Sequence, residues 1–270
     1  MSAPYFSSED EGVVLPWILR VGVAGCFIGH GAFGIITKAG WLPYFAVAGI
    51  GEELAWRLMP IIGTMDIAMG IMALVRPCRA LLLWAGLWAV WTALLRPFSG
   101  EPFWETIERA GNYGVPFALL AVVGLSGPLF SRLPTKWPVL EGDLRQRLSW
   151  TLRITTAMLL VGHAGLGLFS QKVGLAHHYD AVGIGNAGAM VPLVGAFEFF
   201  LAAGVLLRPA PSLLIGVCLW KMLTESLFIV AGAPFWEFIE RFGSYTAPLA
   251  LAVLMQRDFP RAAARALRAA

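Results

Sequence analysis

Residues 102–116 read PFWETIERAGNYGVP, and residues 234–248 read PFWEFIERFGSYTAP. Ten of the fifteen positions are identical, where unrelated segments would share about one, so the spacing of 132 residues marks an internal duplication. Further pairs fall at the same offset: Arg76-Pro77 with Arg208-Pro209, Asp66 with Glu198, and Thr92 with Thr224. After one residue of slippage, Leu19-Arg20 pairs with Leu152-Arg153 and Gly29-His30 with Gly162-His163. A duplicated scaffold needs only its apolar pattern. Recurrence of charges and histidines points to duplicated chemistry or duplicated internal bracing.

The composition is 58% hydrophobic and 14% charged, with a mean hydropathy of +0.70; a soluble domain carries about 25% charge. Apolar stretches long enough for a hydrocarbon core of roughly 30 Å recur along the chain. They fall near 14–37, 54–75, 79–96, 112–130, 149–171, 187–207, 211–232 and 243–256. The bilayer offers no water to the backbone, so these stretches should be helices. The expected fold is an all-α integral membrane protein with eight transmembrane helices. These form two four-helix repeats, 1–130 and 149–256, joined by a cytoplasmic linker at 131–148 and followed by a basic tail at 257–270. An even number of spans per repeat makes the repeats parallel, with a pseudo-two-fold along the membrane normal.

Eleven Lys and Arg residues fall on the side of both termini and five on the other. Both termini are therefore expected in the cytoplasm, with the PFWE segments facing outward across a bacterial inner membrane. The acidic Glu9-Asp10-Glu11 before the first span argues against a signal peptide. The small net charge of +3 reflects topology, and no nucleic-acid partner is expected. Cys26, Cys78 and Cys218 are isolated and form no CxxC pair, which leaves no disulfide framework or dithiol site.

Ionisable residues inside spans are costly and are functional candidates by default. On a rise of about 1.5 Å per residue, Arg20 sits roughly 9 Å from the cytoplasmic end of its span and Asp66 roughly 15 Å from that end of the next. Arg20–Asp66 and Arg153–Glu198 are thus expected as structural ion pairs, with a direct role in transport or proton relay as the alternative. His30 and His163 lie roughly 24 Å up their helices on the same estimate, each flanked by glycines that admit a neighbouring helix or a flat ligand. Three readings stay open: axial ligands to a haem b, hydrogen bonds to a quinone, or bonds to adjacent helices.

The second half alone has Lys221 and Glu225, where the first has Ala89 and Ala93. Glu225 near the depth of His163 suits a proton relay; a local Lys–Glu pair is the alternative. In the PFWE segments, Trp104, Trp236, Tyr113 and Tyr245 suit a membrane–water boundary. Glu105, Glu108 and Arg109, matched by Glu237, Glu240 and Arg241, are expected to shape the mouth of a ligand site above the histidines. His177-His178-Tyr179-Asp180 lacks a fixed ligand geometry and reads as a solvated loop rather than a metal site.

The stretches LRVGVAGCFIGHGAFGIITK at 19–38 and LRITTAMLLVGHAGLGLFSQK at 152–172 resemble the opening of DoxX/DoxD-like membrane proteins. IGTMDIAMGIMALVRP at 62–77 and VGAFEFFLAAGVLLRP at 194–209 are similar to that family's acidic, glycine-rich second span. The resemblance implies a membrane subunit of an oxidoreductase, with a quinone as ligand and a redox partner subunit. The expected function is a quinone-interacting redox membrane protein in which His30 and His163 contact the ligand and Glu225 assists proton transfer. A small-solute transporter and an assembly subunit of a larger membrane complex are the rival classes.

Overall fold

The computed structural model describes residues 7–256, so the basic tail at 257–270 lies outside the described residues. The chain opens with α1 (Ser8–Ile35), started by a reciprocal cap in which the Ser7 hydroxyl accepts from the Asp10 amide and the Asp10 carboxylate accepts from the Ser7 amide. A short turn leads into α2 (Leu42–Val47), and the long helices α3 (Glu52–Val75) and α4 (Arg79–Phe98) follow. The first PFWE segment folds as α5 (Trp104–Glu108), separated only by Arg109 from α6 (Ala110–Val123). The second half comprises α7 (Gly142–Leu168), α8 (Val173–Asp180), α9 (Ala187–Leu207) and α10 (Pro211–Val230). The second PFWE segment forms α11 (Trp236–Ile239), and α12 (Phe242–Gln256) closes the described chain.

The described fold is all-α, and six helices are long and apolar enough to cross a bilayer: α1, α3, α4, α7, α9 and α10. The chain is a multi-pass membrane protein. One of the expected spans is shorter than the sequence suggested, while the short last stretch at 243–256 is matched by α12. The stretch 112–130 leaves helix at Gly124, whose φ of +63° breaks the ladder, and α6 keeps 14 residues. Its length is about 21 Å, short of a hydrocarbon core of about 30 Å. Helix α12 has 15 residues.

Helices α1 and α7 are the most buried of the long helices; α3, α4, α9 and α10 keep most of their surface outward. Their outward faces carry large apolar side chains such as Ile61, Trp84, Leu193 and Leu219, as lipid contact requires. Helix α3 packs on α1 and α9 on α7, whereas α3 scarcely touches α4 and α9 scarcely touches α10.

The PFWE helices cross between the halves. Helix α5 packs on α7, and α11 packs on α1. A Cβ on Gly29 would strike the Glu240 backbone, and one on Gly162 would strike the Glu108 backbone. At the centre, α6 meets α12 so closely that a Cβ on Gly111 would lie 2.6 Å from the Gly243 carbonyl carbon.

The connection between the halves, the linker expected at 131–148, is ordered. Its last seven residues, from Gly142, already belong to α7. The remainder is a packed strap: Leu133, Trp137 and Leu140 are buried, the Trp137 amide donates to Gly12 O at 2.8 Å, and the Leu133 amide donates to Pro77 O at 2.8 Å. Apolar side chains at every third or fourth position explain why this polar-looking stretch lies down on α1.

Candidate functional site

Helix α1 places Cys26, Phe27 and His30 on one face, one turn apart, against a cavity of about 160 Å³. The cap formed by Trp41, Tyr44 and Phe45 covers its outer end, and Trp88, Ala89 and Thr92 of α4 form the opposite wall. Ile62 of α3 contributes, and Arg109, Asn112 and Glu240 close the inner side. Trp91 both lines the cavity and stands 43% exposed, so the cavity reaches the outer surface beside α4. Aromatic walls with a few convergent polar groups are the usual make-up of a small-molecule site.

His30 is the polar focus. Its Nδ1 lies 2.7 Å from Asp66 Oδ2, and its ring stacks on Trp41 with centroids 4.5 Å apart. Asp66 is fully buried, and its second oxygen, Oδ1, has no partner. The indole Nε1 of Trp88 is likewise without a partner. Tyr44 donates to Glu101, which also takes Arg96 Nη1 at 3.0 Å. Burial pushes the Tyr44 phenol up to about 12. Burial alone would raise the Glu101 carboxyl, but the Tyr44 hydroxyl and Arg96 outweigh it and hold it below its usual value.

The matching region of the second half is filled. His163 Nδ1 is bonded to Glu198 Oε2, and Trp220 Nε1 donates to Glu198 Oε1 at 2.8 Å. Lys221, in place of Ala89, brings its Nζ to 3.6 Å from Glu198 Oε1 and 2.8 Å from Glu225 Oε1. Glu225, in place of Ala93, sits 2.8 Å from Arg241 Nε. Lys221 is 1% exposed and Glu225 2%, and Lys221 stands where Ala89 borders the cavity in the first half. Helix α8 covers this region; it holds the HHYD stretch in helix rather than in a solvated loop, with Tyr179 buried and His178 against the Phe228 ring at 4.1 Å.

Two expected ion pairs are replaced. Arg20 Nη2 donates to Pro134 O of the strap at 2.7 Å, and Arg153 reaches the last carbonyls of α9, Leu206 O at 2.8 Å. Asp66 and Glu198 go to the histidines instead. The cause is stagger. Contacts of Gly31 with Gly63 and of Gly34 with Met59 set His30 level with Asp66, so Arg20, ten residues lower on α1, is level with the end of α3. Glu225 is bonded to Lys221 and Arg241, and the His163 ring is taken by Glu198.

The repeated polar residues of the PFWE segments form two matching forks. Arg109 Nη1 holds Glu105 Oε2 at 3.2 Å and Glu108 Oε2 at 2.6 Å; Arg241 Nη1 holds Glu237 Oε2 at 2.6 Å and Glu240 Oε1 at 3.0 Å. Each fork receives a lysine from the other half: Lys38 Nζ lies 2.5 Å from Glu237 Oε1, and Lys172 pairs with Glu105. Burial would raise the Glu237 carboxyl, but Arg241 and Lys38 override it and hold it at about 2. Arg109 and Glu240 border the cavity, whereas Glu105, Glu108, Glu237 and Arg241 stand behind it. Tyr113 and Tyr245 brace the bends by donating to Thr106 O and Phe238 O at 3.1 and 3.2 Å. Trp104 stacks on Phe169, and Trp236 is 37% exposed; neither lines the cavity.

Sequence reasoning passed over Trp41, Tyr44, Trp88 and Arg96. Trp88 carried a signal, because Trp220 recurs at the same offset of 132 residues. Arg96 is replaced by Phe228 in the second half, so the repeat gave no pointer to it. Comparison of the chain with protein-family models, curated proteins and solved structures finds no match.

Proposed function

We propose that this chain is a quinone-interacting redox membrane protein whose first half binds the quinone headgroup in the His30 cavity. The observation that carries the reading is the cavity itself: aromatic walls, one carboxylate-backed histidine, and an opening on the outer surface of α4. A flat, lipid-soluble ring suits such a space, and it arrives from the bilayer side. The likeness of residues 19–38 and 152–172 to DoxX/DoxD-like proteins supports the same ligand. In this reading α6 and α12, extended by α5 and α11, complete eight crossings in two parallel four-helix repeats. Both termini are cytoplasmic and the PFWE forks lie toward the outer face of a bacterial inner membrane, where a redox partner subunit would dock.

The residues present fit a quinone headgroup. Trp41 and Trp88 offer ring faces, and His30 offers a hydrogen bond from the nitrogen that Asp66 leaves unoccupied. When bound, a quinone supplies two-electron, two-proton chemistry. The Asp66 carboxylate orients the His30 ring and leaves its other nitrogen to exchange a proton with the ligand. Arg109 and Glu240 set the polarity of the inner wall. A haem held from both faces by His30 and His163 is less suited, because His163 does not border the cavity in which His30 stands.

The test is to purify the protein in mild detergent, extract it with organic solvent and resolve the extract by chromatography with absorbance detection. Near-stoichiometric quinone is expected from the wild type and from His163→Ala, and little from His30→Ala. An empty extract from well-folded wild-type protein would sink the proposal.

A further inference from the structure

Most polar side chains in the cavity wall already have partners in the protein. Lys38 is taken by Glu237, Arg96 by Glu101, Arg109 by Glu105 and Glu108, and Glu240 by Arg241. Of the hydroxyls, Tyr44 donates to Glu101 and Thr92 donates to Ala89 O at 3.2 Å. The side-chain amide of Asn112 is different. It lines the same cavity, keeps accessible surface, and bonds to no group among the described residues. Its backbone is held firmly: the Asn112 N–H donates to Arg109 O at 2.9 Å, and α12 passes so close that a Cβ on Gly243 would lie 2.9 Å from Asn112 N. A polar group on a fixed backbone at a cavity wall is preorganised for a ligand. The second half has Ser244 at this position of the repeat, and Ser244 is buried. Only the half with the opening carries the amide.

Two helices thus bring hydrogen-bonding capacity to the cavity. Helix α1 brings the His30 nitrogen that Asp66 leaves free, and α6 brings the whole Asn112 amide. A cavity of about 160 Å³ admits one small ring, since sites for drug-sized ligands run to about 300–1,000 Å³. A single ring therefore meets both walls. We infer that Asn112 is a ligand-binding and specificity-determining residue: its amide takes one ring oxygen while His30 takes another, so the cavity selects a ring bearing two oxygens over a ring bearing one. This rests on the quinone reading above and adds the second anchor. An amide donates through its nitrogen and accepts through its oxygen, so Asn112 serves a carbonyl and a hydroxyl alike. It keeps its hold on the ligand through a change of redox state, while His30 exchanges the proton.

The experiment titrates the purified protein with duroquinone, followed by quenching of tryptophan fluorescence, and then displaces it with 2,3,5,6-tetramethylphenol, which has the same methylated ring and a single oxygen. Asn112→Leu keeps the bulk of the side chain and removes the amide. It should weaken duroquinone about fivefold, as loss of one neutral hydrogen bond does, and leave the phenol within about twofold, because His30 still serves its one oxygen. Asn112→Ser writes in the residue of the second half and should show the same split; it decides the matter if the leucine variant fails to fold. Unchanged duroquinone affinity in the folded variants would overturn the second anchor and leave the quinone site standing on His30. An equal loss for both ligands would overturn it too, by making Asn112 a wall residue that shapes the cavity without bonding the ring. Failure of the wild type to bind duroquinone would remove the quinone reading along with it.

Discussion

The two halves of this protein share their helices and their histidine–acid pairs, yet one encloses a cavity and the other a knot of charge. Ala89 leaves space beside His30; Lys221 takes its place beside His163 and, with Glu225, ties that region to Arg241. The lesson is that a duplicated frame needs few side-chain changes to divide its labour. One half keeps an opening for a ligand, and the other converts the same volume into bracing.

That contrast can be broken most directly by writing the plug into the open half. Ala89→Lys combined with Ala93→Glu should remove nearly all extractable quinone while the protein stays folded, because both side chains then have Arg109 and each other as partners. Retention of ligand at wild-type level would show that the cavity is not the site. Next in size is the cost of half a plug. Glu225→Ala leaves Lys221 only Glu198, at 3.6 Å, and Arg241 only Glu237 and Glu240, and should destabilise the protein by about 1–3 kcal/mol, seen as a lower melting temperature in detergent. Removing both ends, Lys221→Leu with Glu225→Leu, should cost clearly less than the single change, since apolar groups of similar volume replace a buried pair with little loss. A double variant less stable than Glu225→Ala would mean that the plug is more than bracing.

The smallest effect concerns the forks between the halves. Because the Glu237 carboxyl is held at about 2 against an ordinary 4.5, its stabilising contribution is complete above 4.5 and is lost as the pH falls toward 2. The melting temperature should decline over that interval, and Glu237→Gln should remove part of the decline. An identical profile in the variant would show that Lys38 and Arg241 gain nothing from the charge.

Much of the frame was legible beforehand. Apolar runs located the six long helices to within a few residues at most ends, and the repeated GH and acidic positions marked the level of the site. What the sequence hid was relative placement. Depth arithmetic treated the ends of α1 and α3 as level, and it therefore gave Asp66 to Arg20; the glycine contacts shift α1 by about two turns and give Asp66 to His30. The exchange of PFWE helices between halves was equally invisible, because a repeat reports which segments are alike and not which copy each one touches. The cavity itself was signalled only by Ala89 against Lys221, and an absence of bulk is read in a sequence only when a bulkier copy stands beside it. Trp88 and Trp220 agree in identity and differ in whether a partner is met.

The crossed forks have a consequence for how the chain comes apart. Lys38 secures Glu237, Lys172 secures Glu105, and Gly111 backs onto Gly243. A cut within the strap would therefore not release two self-sufficient bundles. Each fragment would carry a bare glycine seam and a glutamate whose lysine left with the other piece, so the fragments should be recovered as a complementing pair when made together and as unstable orphans when made alone.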